Sequence, residues 1–481
     1  MPSSPYCRLL EHAGFTLSNV RQLVSELGLE GALGRLYDAG VYVTMDEFKG
    51  RQPVRREGLE FEVRATDFDN PFLQPFFEAQ TSGSRRGPAR IEIDVDTMIA
   101  ESVYIPWLIG VGDYPGRPVA SWSAGISTLR FLLVKVGRPL AKDFVTIRFR
   151  WTAESVRRAI FTYATIGAGR LFGKRLVKPE YTPRDDALRV ARWLAQQSAS
   201  GTPAVLNANP SLAVRLCLAA KEHGQRLDGT TLSLSGEPYT RAKAAIVEAS
   251  GARGSVVYGM SEIRVVGIPC QKPQEFDDVH LVTDKLAVLQ RPHLTSSGET
   301  VPGLVFTNTF TSSPKLMINV ESGDYATLTE RDCGCLLGEM GLRLHVSGIR
   351  SYEKLTSESV TFMGSELLRL LEETLPSRFG GSALDYQHVE EEGEAGLSRV
   401  SIIVGPSVGA VDEAAVIETV LDMLQKYPTG GGAVMSEEWR QANTLRVVRR
   451  EPYATRTAKI QPLHVLSRPE PTDSKPGTSA S

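Results

Sequence analysis

With 481 residues, the chain has room for about two to four domains. Hydrophobic content of 42%, charged content of 23% and a net charge of −2 fit a folded protein in water and give no reason to expect nucleic acid or an anionic membrane as the main partner. No run approaches the roughly 18 apolar residues of a membrane span, the opening MPSSPYCRLLEHAG lacks a basic segment followed by an apolar one, and an odd count of five cysteines fits no disulfide framework, so a cytoplasmic protein is expected.

In chain order, Thr16 to Leu27 is predicted as an amphipathic helix capped by Thr16 and ended by Gly28. Val20, Leu23, Val24 and Leu27 share one face of it. A second helix follows with Leu29, Leu33, Leu36 and Tyr37 inward. At TSGSRRGPARIEIDV a Ser/Thr/Gly run precedes β-prone alternation at Ile91, Ile93 and Val95. Its backbone N–H groups and hydroxyls at Thr81, Ser82, Gly83 and Ser84 suit phosphate oxygens, with Arg85 and Arg86 as cationic support. Asp186 to Ser198 reads as a helix with Ala187, Val190, Ala191 and Leu194 inward.

The stretch from Thr231 to Cys270 reads as strand, turn, helix, strand, turn. Thr231–Leu234 ends at Ser235-Gly236-Glu237-Pro238; after a helix from Arg241, Ser255–Tyr258 ends at Gly259-Met260-Ser261-Glu262. Two strand ends carrying Gly beside a carboxylate are what an open α/β sheet presents at its ligand-binding edge, and Ser261 with Glu262 offers oxygens to a hard cation. Cys270, His280, Cys333 and Cys335 supply the thiolate and imidazole ligands that Zn²⁺ prefers in a closed structural site. Gly303–Phe310 is a predicted strand leading to Ser322-Gly323-Asp324, an aspartate after glycine of the kind that turns ordinarily carry. Gly364-Ser365 opens a helix with Leu367, Leu368, Leu371 and Leu375 on its apolar face. Strand, helix and strand at Leu397–Val404, Val411–Lys426 and Leu445–Val448 make a small α/β domain, and the Pro-rich end, SRPEPTDSKPGTSAS, is expected to be disordered. No dinucleotide fingerprint or Ser-His-Asp arrangement is present.

Five segments, in the right order, resemble the adenylate-forming ligase superfamily and, within it, the phenylacetate–coenzyme A ligase branch. They are TSGSRRGP, SGEP followed by YGMSE, SGDY, the stretch from His345 to Pro376, and TRTAKI. The resemblance implies an α/β fold with a large multi-layer adenylation domain over 1–350, a small mobile α/β domain over 351–466 and a tail over 467–481. It places Thr81, Ser82, Gly83, Ser84 and Arg86 at the ATP phosphates. Ser235, Gly236, Glu237 and Pro238 go to adenine, and Tyr258, Gly259 and Met260 lie between AMP and the acyl group. Asp324 and Arg350 go to the ribose, Glu262 with Ser261 to Mg²⁺, and Lys459 is the catalytic lysine. Trp122, Gly125, Tyr258, Gly259 and Gly267 would line the acyl pocket, and Tyr352 and Glu353 would form the hinge. Some relatives hold structural zinc at positions matching Cys270, His280, Cys333 and Cys335.

The implied activity is ATP-dependent activation of an aromatic carboxylic acid, followed by transfer to coenzyme A, or to an amine or hydroxyl in a natural-product pathway. The family often forms homodimers. The sequence departs from the family pattern at Arg86 and Ala89 in the phosphate loop, at Ile349, at Ser359 near the pantetheine channel, and at Ala458, where glycine is usual. Loss of Glu262 or Lys459 would point to a member that binds without turnover; both are present.

Overall fold

The computed structural model describes residues 4–73, 77–80, 90–93, 95–108, 116–123, 129–146, 153–171, 173, 176–294, 300–351, 364–392, 398–425, 445–455 and 458–466. The chain divides into two compact units, Met1–Lys354 with Ala454–Ile460, and Leu355–Tyr453 with Gln461–Ser481. The expected boundary at 350 lies close to the break after Lys354, but segment 454–460, which carries Lys459 and is expected in the small domain, groups with the large unit.

The large unit contains a six-stranded, all-parallel sheet in the spatial order Arg253–Val256, Thr231–Leu234, Val205–Ala208, Val119–Ser123, Lys142–Val145, Glu180–Tyr181. A helix joins each of these strands to the next in sequence, as parallel pairing requires. The helix Ala187–Ala199 buries Ala187, Val190, Ala191 and Leu194, the face read from its periodicity. These side chains pack with Trp122, Phe144, Leu206 and Leu232 into the core of the sheet.

A seven-stranded antiparallel sheet follows, ordered Tyr258–Met260, Arg264–Pro269, Val279–Leu281, Leu344–Ser351, Val320–Glu330, Thr300–Asn308, Leu286–Leu294. Here the structure corrects the expected single strand Ser255–Tyr258. The parallel strand ends at Val256, the Val257 N–H still donates to Leu234 O at 2.8 Å, and Tyr258 opens the antiparallel sheet. One residue therefore separates the two sheets in the chain.

At the start of the chain, the helices before and after Gly28 run as Leu17–Asp38, broken at Gly28 with φ 72°. Thr16 caps the first through a reciprocal pair of bonds with Asn19. Leu33 and Leu36 are buried as expected, but Val24 and Leu27 are 38% and 49% exposed. The β-prone alternation at 91–95 is a strand only over Arg90–Ile93, and Val95 begins a helix.

The second unit is a four-stranded mixed sheet ordered Leu445–Arg449, Ser398–Val404, Tyr386–Glu392, Leu463–Leu466. Leu367, Leu371 and Leu375 pack with Val416, Val420 and Leu424 of the helix Glu413–Gln425. The leucine helix carries a wider, π-type turn over Leu370–Thr374, which adds Leu370 to its buried side. None of the described helices is long and apolar enough to cross a membrane.

Candidate active site

Three strand ends meet at the carboxyl edge of the parallel sheet. They lead into Asn209-Pro210-Ser211, Ser235-Gly236-Glu237 and Val257-Tyr258. Gly236 has φ +85°, a conformation that side chains with a Cβ rarely adopt, and a Cβ there would lie 2.5 Å from Lys459 Nζ. Bare backbone lets the Lys459 ammonium donate to Gly236 O at 2.8 Å, joining residues 223 apart in sequence.

Lys459 stands on a tight turn of its own. The Thr455 N–H donates to Lys459 O at 2.8 Å, Ala458 N–H to Thr455 O at 2.9 Å, and Lys459 N–H to Thr455 Oγ1 at 3.1 Å. Ala458 closes the turn at φ 62°, in the left-handed region, and its methyl is buried in the core of the parallel sheet. The glycine of the motif that this segment resembles would fit this φ without strain, whereas alanine meets it at some cost.

Glu237 turns inward. Its Oε2 accepts from Ser211 Oγ at 2.5 Å and from Ser211 N–H at 3.2 Å, while Oε1 is buried with no partner among the described residues. Burial pushes this carboxyl above the usual range, against the opposing pull of the Lys243 charge and the Ser211 hydrogen bonds. Lys243 is itself buried and donates to Pro238 O at 3.1 Å, bracing the turn from its helix.

Across the sheet junction, the Tyr258 hydroxyl donates to Asp324 Oδ2 at 2.9 Å. Asp324 is fixed by its own N–H, which donates to Ser322 Oγ at 3.1 Å. Gly267 lies opposite Tyr258 in register, and a Cβ on it would come within 2.5 Å of Val279 and 3.3 Å of the Tyr258 side chain. Gly259 and Ser261 are exposed, Met260 is half-buried, and the Glu262 carboxylate is buried, at 6% exposure. Below that turn, Lys285 donates to Ile263 O at 3.1 Å and pairs with Glu101 at 2.5 Å. Arg350 is engaged by Asp277, 3.4 Å away, and donates to Ile349 O at 2.7 Å.

A second cluster gathers Cys270, His280, Cys333 and His345, whose ligand atoms all lie within 4.8 Å of one another. Cys335 adjoins it, its Sγ 3.2 Å from His280 Nε2. His280 Nδ1 contacts Leu342 O at 2.6 Å, so Nε2 faces the thiols, and burial lowers its pKa to about 4. Burial pushes the Cys270 thiol up to about 12. His345 Nδ1 binds Asp278 Oδ1 at 2.7 Å, leaving a buried Nε2 without a partner among the described residues. A neutral imidazole, clustered thiols and an orphaned imidazole nitrogen backed by a carboxylate together suit a zinc ion. Sequence alone does not single out His345 as a ligand. The available signal was its pairing with His280 in adjacent strands, which needs the register to be known.

No protein-family model matches the chain, and no curated protein matches it in sequence. Among solved structures, 2-hydroxyisobutyryl-CoA ligase in the postadenylation state, in complex with 2-HIB-AMP, is similar at a TM-score of 0.52. The match covers 96% of this chain and 85% of that one at 17% identity. The chain has the fold of the adenylate-forming ligases. Weaker likenesses include an anthranilate CoA ligase in complex with anthranoyl-AMP, with a TM-score of 0.45, 11% identity and coverage of 80% and 65%. Another is an amide bond synthetase from Marinactinospora thermotolerans, with a TM-score of 0.41, 14% identity and coverage of 79% and 65%.

Within this fold, Lys459 joins Gly236 and Tyr258 joins Asp324, whereas Arg350 bonds to Asp277. Trp122 occupies a core position, fully buried, with its indole N–H given to Thr182 O at 3.0 Å. Thr81, Ser82, Gly83, Ser84, Arg86, Gly125, Tyr352, Glu353 and the tail 467–481 lie outside the described residues.

Proposed function

We propose that this chain condenses a carboxylic acid with ATP to an acyl-adenylate, releasing pyrophosphate, and then passes the acyl group to the thiol of coenzyme A. The observation that carries the reading is the 2.8 Å bond from Lys459 to Gly236, which brings the lysine of the closing motif to the adenine-type SGEP turn. A carboxylate oxygen attacks the α-phosphorus in line. Both partners are anionic, so catalysis consists of positioning and neutralising charge. Lys459 contributes a cation at the edge of the parallel sheet. Tyr258, held by Asp324, separates the nucleotide from the acyl side, and Asp324 keeps a second oxygen for ribose hydroxyls.

Glu262, a buried carboxylate on the exposed Ser261 turn, suits Mg²⁺, which when bound offsets phosphate charge. Cys270, His280, Cys333 and His345, with Cys335 adjoining, would hold zinc, which would supply a structural cross-link among the segments that carry these residues. The phenylacetate–coenzyme A ligase-like motifs point to an aromatic acid. An amine or hydroxyl acceptor is the second reading, favoured by Ser359 where those ligases carry glycine near the pantetheine channel.

The test is carboxylate-dependent ATP–pyrophosphate exchange over hydroxy-, amino- and unsubstituted aryl acids and aliphatic acids, followed by product analysis with coenzyme A or amines. Exchange with an aryl acid and a thioester product supports the proposal. Exchange without thioester formation moves the acceptor to an amine or hydroxyl. No exchange from folded, metal-replete protein overturns the adenylation reading.

A further inference from the structure

We infer that Ser211, a residue in none of the recognised motifs, is the positioning residue that seats the Lys459 segment at the SGEP turn. This inference rests on the adenylation reading for its catalytic consequence, but its geometry stands alone. Ser211 lies in the first turn of the helix Pro210–Glu222 and is fully buried. That helix start is fixed by Asn209, whose side chain accepts from Leu212 N–H at 2.9 Å.

A hydroxyl has one proton to give and two lone pairs with which to accept. Ser211 gives its proton to Glu237 Oε2 at 2.5 Å and accepts the Ile460 N–H at 3.3 Å. Glu237 Oε2 also takes the Ser211 N–H at 3.2 Å, so it stands as an acceptor towards Ser211, orients the hydroxyl proton and leaves the lone pairs for Ile460.

Three consecutive residues are thereby held by three different means. The Ala458 methyl is buried in the core, the Lys459 ammonium sits on Gly236 O, and the Ile460 amide sits on Ser211 Oγ. A flexible lysine stem alone would leave the ammonium in many rotamers. Anchoring the peptide on its C-terminal side removes backbone freedom just where the side chain departs. The Glu237–Ser211 pair is thus part of the apparatus that aims Lys459, although neither residue touches the reacting atoms through this contact.

The test combines hydrogen exchange with half-reaction kinetics on the full-length chain. In the wild type, the Ile460 amide is expected to exchange at least about a hundredfold more slowly than in an unstructured peptide. Ser211→Ala should speed that exchange at least about tenfold, with peptides from the helix 210–222 unchanged. The same variant should lower kcat for pyrophosphate release about tenfold, with KM for ATP and acid within about twofold and acyl transfer from supplied acyl-adenylate retained. An unprotected Ile460 amide in the wild type overturns the inference even if Ser211→Ala fails to fold. Exchange and kcat unchanged in Ser211→Ala, or exchange accelerated equally along the helix, would also overturn it. If the wild type releases no pyrophosphate with any acid, the catalytic reading fails, while the exchange measurements still decide whether Ser211 seats the segment.

Discussion

Asp277 and Asp278 are neighbours in sequence and serve different clusters. Asp277 accepts the Gly348 N–H at 3.0 Å and faces Arg350, while Asp278 binds His345 Nδ1 at 2.7 Å and pairs with Arg331. One peptide unit therefore joins the proposed zinc centre to the arginine proposed for the ribose. The two variants should separate cleanly. Asp278→Asn is expected to weaken zinc retention by about 10–100-fold, the usual cost of losing a carboxylate behind a ligating histidine. Asp277→Asn should leave the metal in place and weaken ATP binding severalfold. Metal analysis and calorimetric ATP titration on both proteins check this, and a reversed pattern would break the assignment.

The metal-free protein should lose stability on acidification between about pH 6.5 and 4. Burial lowers the folded-state pKa of His280 to about 4, from an unfolded value near 6.5. Within that window the unfolded chain binds more protons, so stability rises with pH and falls as pH drops. Denaturant midpoints measured across pH 4–7 should show this slope, and His280→Gln should flatten it.

Lys459→Ala should reduce pyrophosphate release by about 10²–10³-fold, the range seen when one preorganised electrostatic contact is removed from a reacting centre. Acyl transfer from supplied acyl-adenylate should persist. Single-turnover assays of each half-reaction check the split. Equal loss in both would mean that the lysine is needed for the fold.

Ala458 offers a test in which opposing effects nearly cancel. Ala458→Gly removes about 1–2 kcal/mol of left-handed strain. It also forfeits about 0.8 kcal/mol of buried methyl and about 0.4–1 kcal/mol through greater freedom of the unfolded chain. The expected net change in unfolding free energy is within about 1 kcal/mol. Ala458→Val faces both a β-branched residue at φ 62° and an overpacked core, so it should cost about 1–3 kcal/mol or more and slow adenylation. Chemical denaturation of the two variants measures the contrast.

Local periodicity made much of the scaffold legible. Ala187, Val190, Ala191 and Leu194 lie on the buried face that their spacing describes, and the Thr16 cap and Gly28 break stand where residue chemistry puts them. Val24 and Leu27 show the limit of that signal, because spacing marks an apolar face without showing what covers it. Trp122 illustrates another limit: its placement as core follows from strands and helices far apart in sequence. The same applies to His345, which joins the thiols through strand register, and to Ser211, whose partner Ile460 is 249 residues away. Gly236 and Lys459 stand out in the sequence because their segments resemble a known pattern, but nothing in that pattern shows that the two residues touch.

The passage from one sheet to the next at Val257 constrains how the large unit can respond to a ligand. Val257 is still hydrogen-bonded to the parallel sheet, and Tyr258 already belongs to the antiparallel one. With no slack between them, the sheets cannot slide or open at this point without displacing the tyrosine and straining its bond to Asp324. In the proposed reaction, the wall between nucleotide and acyl group would be made of the joint itself, so a change of substrate size would be absorbed by side chains around it and not by parting the two sheets.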